Sequence, residues 1–418
     1  MFSIYRMTEN SNNTPRLRFP GFSGGWEEKN LRDVASKVNR RNNNLEVTRV
    51  LTNSANVGVV DQNDYFDRDI AVKDNTSNYH IVEFGDFVYN PRISTAAPVG
   101  PISMNKVGMG IMSPLYTVFR FKKGHVDFYE QYFQTTIWHQ YLKSIANFGA
   151  RFDRMNITSE GFFNMPLMLP SLPEQQKIAS FLSAMDELIE AQGQKVEALK
   201  EKKKGLMQQL FPQPGHTTPQ LRFPGFDGEW EVKKFCEITF SAGKKNKLNL
   251  SYERYSISNE SGFFPQNDLF EGGGGYLKDI DCSMYTIVSP KSFAYNPARI
   301  NVGSIGYQNL DKDVIVSSLY EVFKTTDACD DAFLWQWFHS GAFHKMVVEV
   351  QEGGVRQYFF YNKLKECKIH LPSIPEQQKI AECLSALDEQ IAAESAKVDA
   401  LKDHKKGLMQ QLFPQPSK

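Results

Sequence analysis

The sequence predicts an α/β (α+β) protein: two pseudo-symmetric domains joined by two long antiparallel coiled-coil helices. Three observations carry this. The chain is written twice, with a period of about 200 residues. Each copy ends in a tail of about 38 residues whose apolar positions alternate four and three. The part before each tail mixes short alternating stretches with helical ones.

The repeat is explicit at both ends of each copy. PRLRFPGFSGGWEEKNL from Pro15 returns as PQLRFPGFDGEWEVKKF from Pro219, a shift of 204. LPSLPEQQKIASFLSAMDELI from Leu169 returns as LPSIPEQQKIAECLSALDEQI from Leu371, a shift of 202. GLMQQLFPQP stands at Gly205 and again at Gly407. Weaker echoes lie between: Tyr89-Asn90-Pro91 with Tyr295-Asn296-Pro297, Leu115–Phe119 with Leu319–Phe323, and Gly149-Ala150-Arg151 with Gly354-Val355-Arg356. The tails are nearly identical and the globular parts share only anchors. One task is therefore common to the two copies and another differs between them. The boundaries that follow are residues 1–14 as a flexible N-terminus, 15–170 as the first domain and 171–214 as a central spacer helix. Residues 215–371 are the second domain and 372–418 a C-terminal spacer helix.

In each globular part, stretches such as His80–Phe84 and Ile287-Val288 alternate with period two and read as strands. Gln131–Ile145 and Ala332–Val348 read as helices. Aromatic residues make up 13% of the chain.

Each tail opens on a helix signal: Ser171 with Pro173 and Glu174, repeated as Ser373, Pro375 and Glu376, the pattern of a capping box. Each stops at Phe211-Pro212 or Phe413-Pro414, because proline cannot continue the hydrogen-bond ladder. About 38 residues at 1.5 Å each give a helix of roughly 57 Å. The first seam runs Ile178, Leu182, Met185, Ile189, Gln192, Val196, Leu199, Lys203, Leu206, Leu210. The second runs Ile380, Leu384, Leu387, Ile391, Glu394, Val398, Leu401, Lys405, Leu408, Leu412. This is a coiled-coil pattern with two polar interruptions per helix. A parallel pairing would set Lys203 beside Lys405. An antiparallel register sets Lys203 against Glu394 and Lys405 against Gln192. The same register sets Met185 against Leu412, Ile189 against Leu408, Val196 against Leu401, Leu199 against Val398, Leu206 against Ile391 and Leu210 against Leu387. Every apolar position then meets an apolar one. Gly205 and Gly407 interrupt both helices at a cost of about 1 kcal/mol each, for which a bend or a close approach by a partner would account.

Bulk composition excludes several classes. Hydrophobic residues are 41% and charged residues 23%, as in ordinary globular proteins. Five cysteines, all in the second half and none in a C-x-x-C pair, argue against a disulfide framework or a zinc site. The first residues hold no apolar run of signal-peptide length, and no stretch reaches the roughly 20 apolar residues of a membrane span. A cytoplasmic protein is expected. No Gly-x-x-x-x-Gly-Lys-Ser/Thr loop and no H-E-x-x-H occurs, and the run Gly272–Gly275 reads as a loop. Asn90-Pro91-Arg92 and Asn296-Pro297-Ala298 are not the Asn-Pro-Pro-aromatic motif of adenine methyltransferases. No catalytic residue and no metal ligand is therefore expected.

Lys+Arg and Asp+Glu both number 48, so net charge gives no sign of a nucleic-acid partner. Local cations do. A basic, asparagine-bearing loop recurs at the same place in each copy: Arg40, Arg41 and Asn42, then Lys244, Lys245 and Asn246. Arginine can pair with guanine in bidentate fashion, asparagine with adenine, and lysine can neutralise phosphate. Arg92 and Arg299, and Arg151 and Arg356, follow glycine- or proline-bearing turns and are further candidates. Solvated loops and structural ion pairs are the alternative readings of these cations.

The LRFPGFxGxW opening, the Tyr-Asn-Pro and Gly-x-Arg segments, and LPxxPEQQKIAxxLSAxDExI leading to GLMQQLF occur twice in the same order. In these the chain resembles the specificity subunits of type I restriction–modification enzymes over nearly its whole length. The resemblance implies two target-recognition domains, each reading one half of a split double-stranded DNA site, and helices that set the gap. It implies two modification methyltransferase subunits as partners, which carry S-adenosylmethionine. Restriction–translocation subunits, with ATP and Mg, can join them. This chain would hold no cofactor and no active site. The rival readings are a self-contained DNA methyltransferase or nuclease, and a coiled-coil scaffold that binds no DNA.

Overall fold

The repeat of letters is a repeat of elements. In the computed structural model, which describes residues 6–7, 13–65, 76–147, 153–213, 215–258, 262–266, 281–351 and 358–414, the chain divides into two units. Unit 1 takes residues 1–192 with 397–418, and unit 2 takes 193–396.

In unit 1 a four-stranded antiparallel sheet runs in the order Ala35–Lys37, Thr117–Phe121, Phe87–Tyr89, Ile102–Met104. In unit 2 the order is Thr239–Ser241, Glu321–Thr325, Ser292–Tyr295, Ile305–Gln308, which is the same topology. These strands are rich in β-branched and aromatic residues, which suit a pleated, buried surface. Phe87 faces Phe119 across the first sheet and Phe293 faces Phe323 across the second. All four are fully buried. A strand from the start of each domain, Glu27–Asn30 or Glu231–Lys234, pairs with one from its end, Pro166–Leu169 or Lys368–Leu371. That pairing closes the domain and aims the chain into a long helix.

Each unit has two cores. The larger, aromatic one packs the sheet on helices; in unit 1 it includes Phe87, Phe119, Phe128, Phe133 and Leu182. The smaller one is largely aliphatic and lies under the outer strands: Leu51, Val59, Val82, Val88, Met112 and Val118. Its counterpart in unit 2 includes Tyr255, Ile257, Val288, Val314, Val316 and Val322. The expected helices Gln131–Ile145 and Ala332–Val348 are each two helices, Val126–Phe133 with His139–Ile145 and Asp331–Phe338 with Gly341–Gln351. At each break a hydroxyl takes a carbonyl of the preceding turn: Thr135 Oγ1 donates to Tyr132 O at 2.7 Å and Ser340 Oγ to Trp337 O at 2.6 Å. Such local bonds compete with the helical ladder.

The two long helices span Leu172–Leu210 and Ile374–Leu412. The glutamate expected to close a capping box does something else. Arg18 donates Nε and Nη2 to the two oxygens of Glu174, both at 2.7 Å, and also reaches the carbonyls of Gly24 and Ser23. Arg222 does the same to Glu376, at 2.8 and 2.7 Å, and to the carbonyls of Gly228 and Asp227. The arginine of LRFPGF thus clasps the glutamate of PEQQ in each unit. The next residue completes the seam: Gln175 joins Pro170 O to His125 N, and Gln377 joins Pro372 O to Asp330 N.

Within each unit, segments of both long helices run antiparallel. In unit 1, Lys405 Nζ binds both oxygens of Asp186 at 2.6 and 2.7 Å, and Gln131 donates to Asp186 at 2.9 Å. In unit 2, Lys203 binds both oxygens of Asp388 at 2.6 and 2.7 Å, and Gln336 donates to Asp388 at 2.8 Å. All the expected seam residues, from Met185 to Leu210 and from Leu387 to Leu412, are buried or half-buried. The register is not the expected one. Lys203 meets Asp388 rather than Glu394, Lys405 meets Asp186 rather than Gln192, and Glu394 takes Lys195 instead. Leu408 and Leu412 lie in one cluster with Ile178 and Leu182, and Leu210 with Ile380 and Leu384. These contacts fit a slip of one heptad. Lysine makes it possible: its methylenes lie along apolar seam neighbours while the ammonium reaches the carboxylate just beside the facing seam residue.

The helix ends are plugs. Phe413 sits among Trp26, Phe128 and Tyr132, with ring centroids 5.6–6.1 Å apart. Phe211 lies 5.6 Å from Phe333, in one cluster with Trp230. Burying each phenylalanine contributes on the order of 1.5–3 kcal/mol. In unit 1 the tryptophan of GFxGxW meets the phenylalanine of GLMQQLF directly, and in unit 2 Trp230 and Phe211 both pack on Phe333. Gly205 and Gly407 interrupt neither helix, and a Cβ at either would meet nothing within 4 Å. Packing inside this chain does not require them.

Arg18→Met should lower the unfolding free energy by about 3–5 kcal/mol, because it strands a buried carboxylate. Arg222→Met should cost less, since its guanidinium is 19% exposed against 6% for Arg18. Chemical denaturation of the two variants tests this order. The register predicts that Leu182→Cys with Leu408→Cys forms a disulfide under mild oxidation. Ile189→Cys with Leu408→Cys, the pair of the register one heptad away, should not.

Candidate nucleic-acid interface

The basic loops grow from the outer strands over the small core. In unit 1, Arg41 bridges His80, and the Asn42 amide donates to Tyr79 O at 3.0 Å. In unit 2, Lys244 and Lys245 form a short strand on Ile287 and Thr286, and the Asn246 amide donates to Tyr285 O at 3.0 Å. Equivalent residues therefore present the two loops in the same way.

The asparagines are buried and hold these loops. Asn42 is 2% exposed; its Nδ2 donates to Val47 O and its Oδ1 accepts from Val47 N. Asn246 is 1% exposed and makes the same pair of bonds with Leu250. One donor and one acceptor of each amide are engaged inside its own loop, so in this arrangement Asn42 and Asn246 shape the turn. The bonds support a turn whose next residues, Leu45 and Asn249, have φ of 56° and 48°. That left-handed conformation is costly for leucine and survives because the asparagine bonds fix it.

The cations remain outward. Arg40 and Arg41 are exposed, as are Lys244 and Lys245. Arg40 donates to Glu83 at 2.9 Å. Glu83 also accepts from Arg120, which in turn binds Asp86. The Arg120 guanidinium, chiefly by hydrogen bonding, holds the Glu83 carboxyl below its ordinary range. Unit 2 carries serine at both corresponding acidic places, Ser289 and Ser292, so its loop lacks this clamp. Among the described residues Lys244 has no side-chain partner, and Lys245 reaches Thr286 Oγ1 at 3.1 Å. His80, beside Arg41, is held near a pKa of about 4 by burial and then by Arg41 and Lys37. It is neutral at physiological pH and adds no cation of its own.

Arg92 and Arg299 are both exposed and follow the Asn-Pro turns. Asn90 Oδ1 and Asn296 Oδ1 accept backbone amides two residues on, from Arg92 and Ala298, so each turn is built by its asparagine. Arg92 lines a cleft of about 190 Å³ with Tyr79, Tyr116, Leu115 and Arg154. Arg151, Arg356 and the run Gly272–Gly275 lie outside the described residues. Sequence reasoning missed Arg154, because position 358 in the second copy is tyrosine and no basic pair marks the place. It also missed the Arg120–Glu83–Asp86 cluster, which unites residues far apart in the chain. Among the described residues no group of three or more His, Cys, Asp or Glu could hold a metal ion. Nor is any described helix long and apolar enough to cross a membrane.

A family profile for the type I restriction modification DNA specificity domain matches residues 23–201 and again 229–403. The chain is similar to the type I restriction enzyme MjaVIII specificity subunit of Methanocaldococcus jannaschii, with 26% identity over 281 residues. That alignment covers 60% of this chain and 62% of the relative, under two thirds of its length. It is also similar to the putative type I restriction enzyme MjaX specificity subunit of the same organism, 23% identical over 419 residues, covering 93% of this chain and 92% of that one. Among solved structures, a chain from a study of complex assembly and conformational transition of the type I R-M system matches with a TM-score of 0.57 and 16% identity. The match covers 94% of this chain and 99% of that one. The type-I restriction-modification system S subunit from M. genitalium matches with a TM-score of 0.57 and 13% identity, over 97% of this chain and 100% of that one. At such identities these two structures speak for the fold. With two profile matches in tandem and the fold repeated unit by unit, the chain belongs to the type I restriction modification DNA specificity domain family.

Proposed function

We propose that this chain, a DNA-specificity subunit of type I restriction–modification, reads a bipartite, asymmetric site on double-stranded DNA and is not itself a catalyst. One observation carries the reading. Two units share a strand order, a loop frame and a helix clasp, while the side chains they present outward differ: Arg40, Arg41 and Arg92 on one, Lys244, Lys245 and Ala298 on the other. A constant frame with unlike surfaces suits two readers of two unlike half-sites. The long helices, with nearly the same residues twice, suit a spacer and a repeated dock for two copies of one partner. That partner is a modification methyltransferase subunit, which brings S-adenosylmethionine and the methyl transfer. Restriction subunits, with ATP and Mg, join the same assembly, and the assembly works in the cytoplasm. Neither rival reading, a self-contained enzyme or a scaffold without DNA, is favoured by any feature of the two units.

Within this reading the exposed loop cations contact the duplex. Arg40→Ala or Lys244→Ala should weaken binding by about 1–3 kcal/mol at sites whose base they read. A loss equal on all sequences, with a shallower salt dependence, would mark phosphate contact instead. Replacing residues 15–168 by the corresponding domain of another specificity subunit should change one half of the methylated site and leave the other intact. Mapping modified bases in cells that carry the chimaera with its methyltransferase measures this. A single uninterrupted site, or a change in both halves, would defeat the proposal.

A further inference from the structure

Just after the Asn-Pro turn, both units use one backbone device to expose unlike side chains. The Met155 amide donates to Pro91 O and the Phe359 amide to Pro297 O, each at 3.0 Å. Met155 and Phe359 are buried in the large cores. In these extended segments, residues on either side of a buried one point outward. Those are Arg154 and Asn156 in unit 1, and Tyr358 and Phe360 in unit 2. The surrounding frame is repeated: Tyr79 with Tyr285, Leu115 with Leu319, Tyr116 with Tyr320.

The chemistry at the two places differs. In unit 1, Arg92 and Arg154 form an antiparallel bridge and line one cleft. Among the described residues the Arg92 side chain has no partner. The carboxylate nearest Arg154 is Asp153 at 3.7 Å, and Arg154 Nε is buried without a hydrogen bond. Two neighbouring guanidinium groups repel unless an acceptor-rich group lies between them. In unit 2 the place of Arg92 is Ala298. Tyr358 and Phe360 are 54% and 48% exposed and stack at 5.5 Å. An exposed aromatic pair in a loop is a surface that lacks its apolar partner.

We propose that positions 92, 154 and 156 in unit 1, and 298, 358 and 360 in unit 2, are specificity-determining. Unit 1 reads a guanine edge through Arg92 and Arg154. Unit 2 reads the methyl edge of a thymine through Tyr358 and Phe360. Guanine offers two acceptors in the major groove and thymine a methyl group, which fits fork-shaped donors and an apolar pair respectively. This inference rests on the DNA-reading function proposed above.

The test is selection from a duplex library randomised at both half-sites, using the full chain alone and reconstituted with its methyltransferase subunits. Arg92→Gln with Arg154→Gln should lose preference for one guanine by roughly 5- to 150-fold, with the other half-site unchanged. Tyr358→Ser with Phe360→Ser should lose preference for one thymine in the other half-site only. Arg92, Tyr358 and Phe360 are exposed, so thermal unfolding of the Tyr358→Ser with Phe360→Ser chain should match the unaltered chain. Arg154→Lys guards against a variant that fails to fold. It keeps the charge without the fork, so guanine preference should fall while overall affinity holds. Unchanged preferences, or a loss spread evenly over all sequences, overturn the inference. If the unaltered chain shows no sequence preference, the DNA-reading function falls, and this inference with it.

Discussion

The architecture depends on a buried charge pair made twice. Arg18 with Glu174, and Arg222 with Glu376, join the opening segment of each domain to the first turn of a long helix. A buried ion pair gains little over an apolar contact of the same shape, but a half-made one is severely unfavourable. That asymmetry makes it a positional constraint: only one placement of the helix satisfies both partners and the two carbonyls beside them. A second constraint sits farther along. The carboxylate of Asp186 or Asp388 is shared by a lysine of the other long helix and a glutamine of the domain. Together they fix both the start and the register of the helices against each unit.

This explains which letters recur in the chain and which do not. Arginine of LRFPGF, glutamate and glutamine of PEQQ, aspartate of SAxDE, lysine of KKG, tryptophan of GFxGxW and phenylalanine of LFP all take part in the junction of domain and helix. Outer loops share chiefly what shapes their backbone, such as the asparagines at 42 and 246, the Asn-Pro turns and the buried residues at 155 and 359. Side chains that those backbones carry outward are free to differ, and they do.

Much of the fold was legible because periodicity and repetition report backbone geometry directly. The long helices and the mixed domains follow from apolar spacing, and the antiparallel sense within each unit from keeping Lys203 away from Lys405. The register did not follow, because matching polar to polar positions treats lysine as a point; its stem lets it face an apolar seam residue while its ammonium pairs with the carboxylate flanking that residue. The helix breaks at Thr135 and Ser340 were hidden by continuous apolar spacing, which says nothing of a hydroxyl turning back on the chain. At the candidate interface, Arg40, Arg41, Lys244 and Lys245 were visible as exposed cations. The turn-shaping role of Asn42 and Asn246 was not legible, since an asparagine that shapes a turn and one that reads adenine are the same letter. Arg154 was invisible to a search for repeated cations, because a divergent position leaves no echo.

The acidic clamp of unit 1 has a consequence for the grip of the two halves. Glu83 and Asp86 already neutralise part of the charge that Arg40 and Arg120 present, whereas serines stand at those places in unit 2. Under the proposed DNA-reading function, more counter-ions would be displaced at the unclamped unit. Rising ionic strength would then weaken the hold of the lysine-bearing unit more steeply than that of the arginine-bearing one.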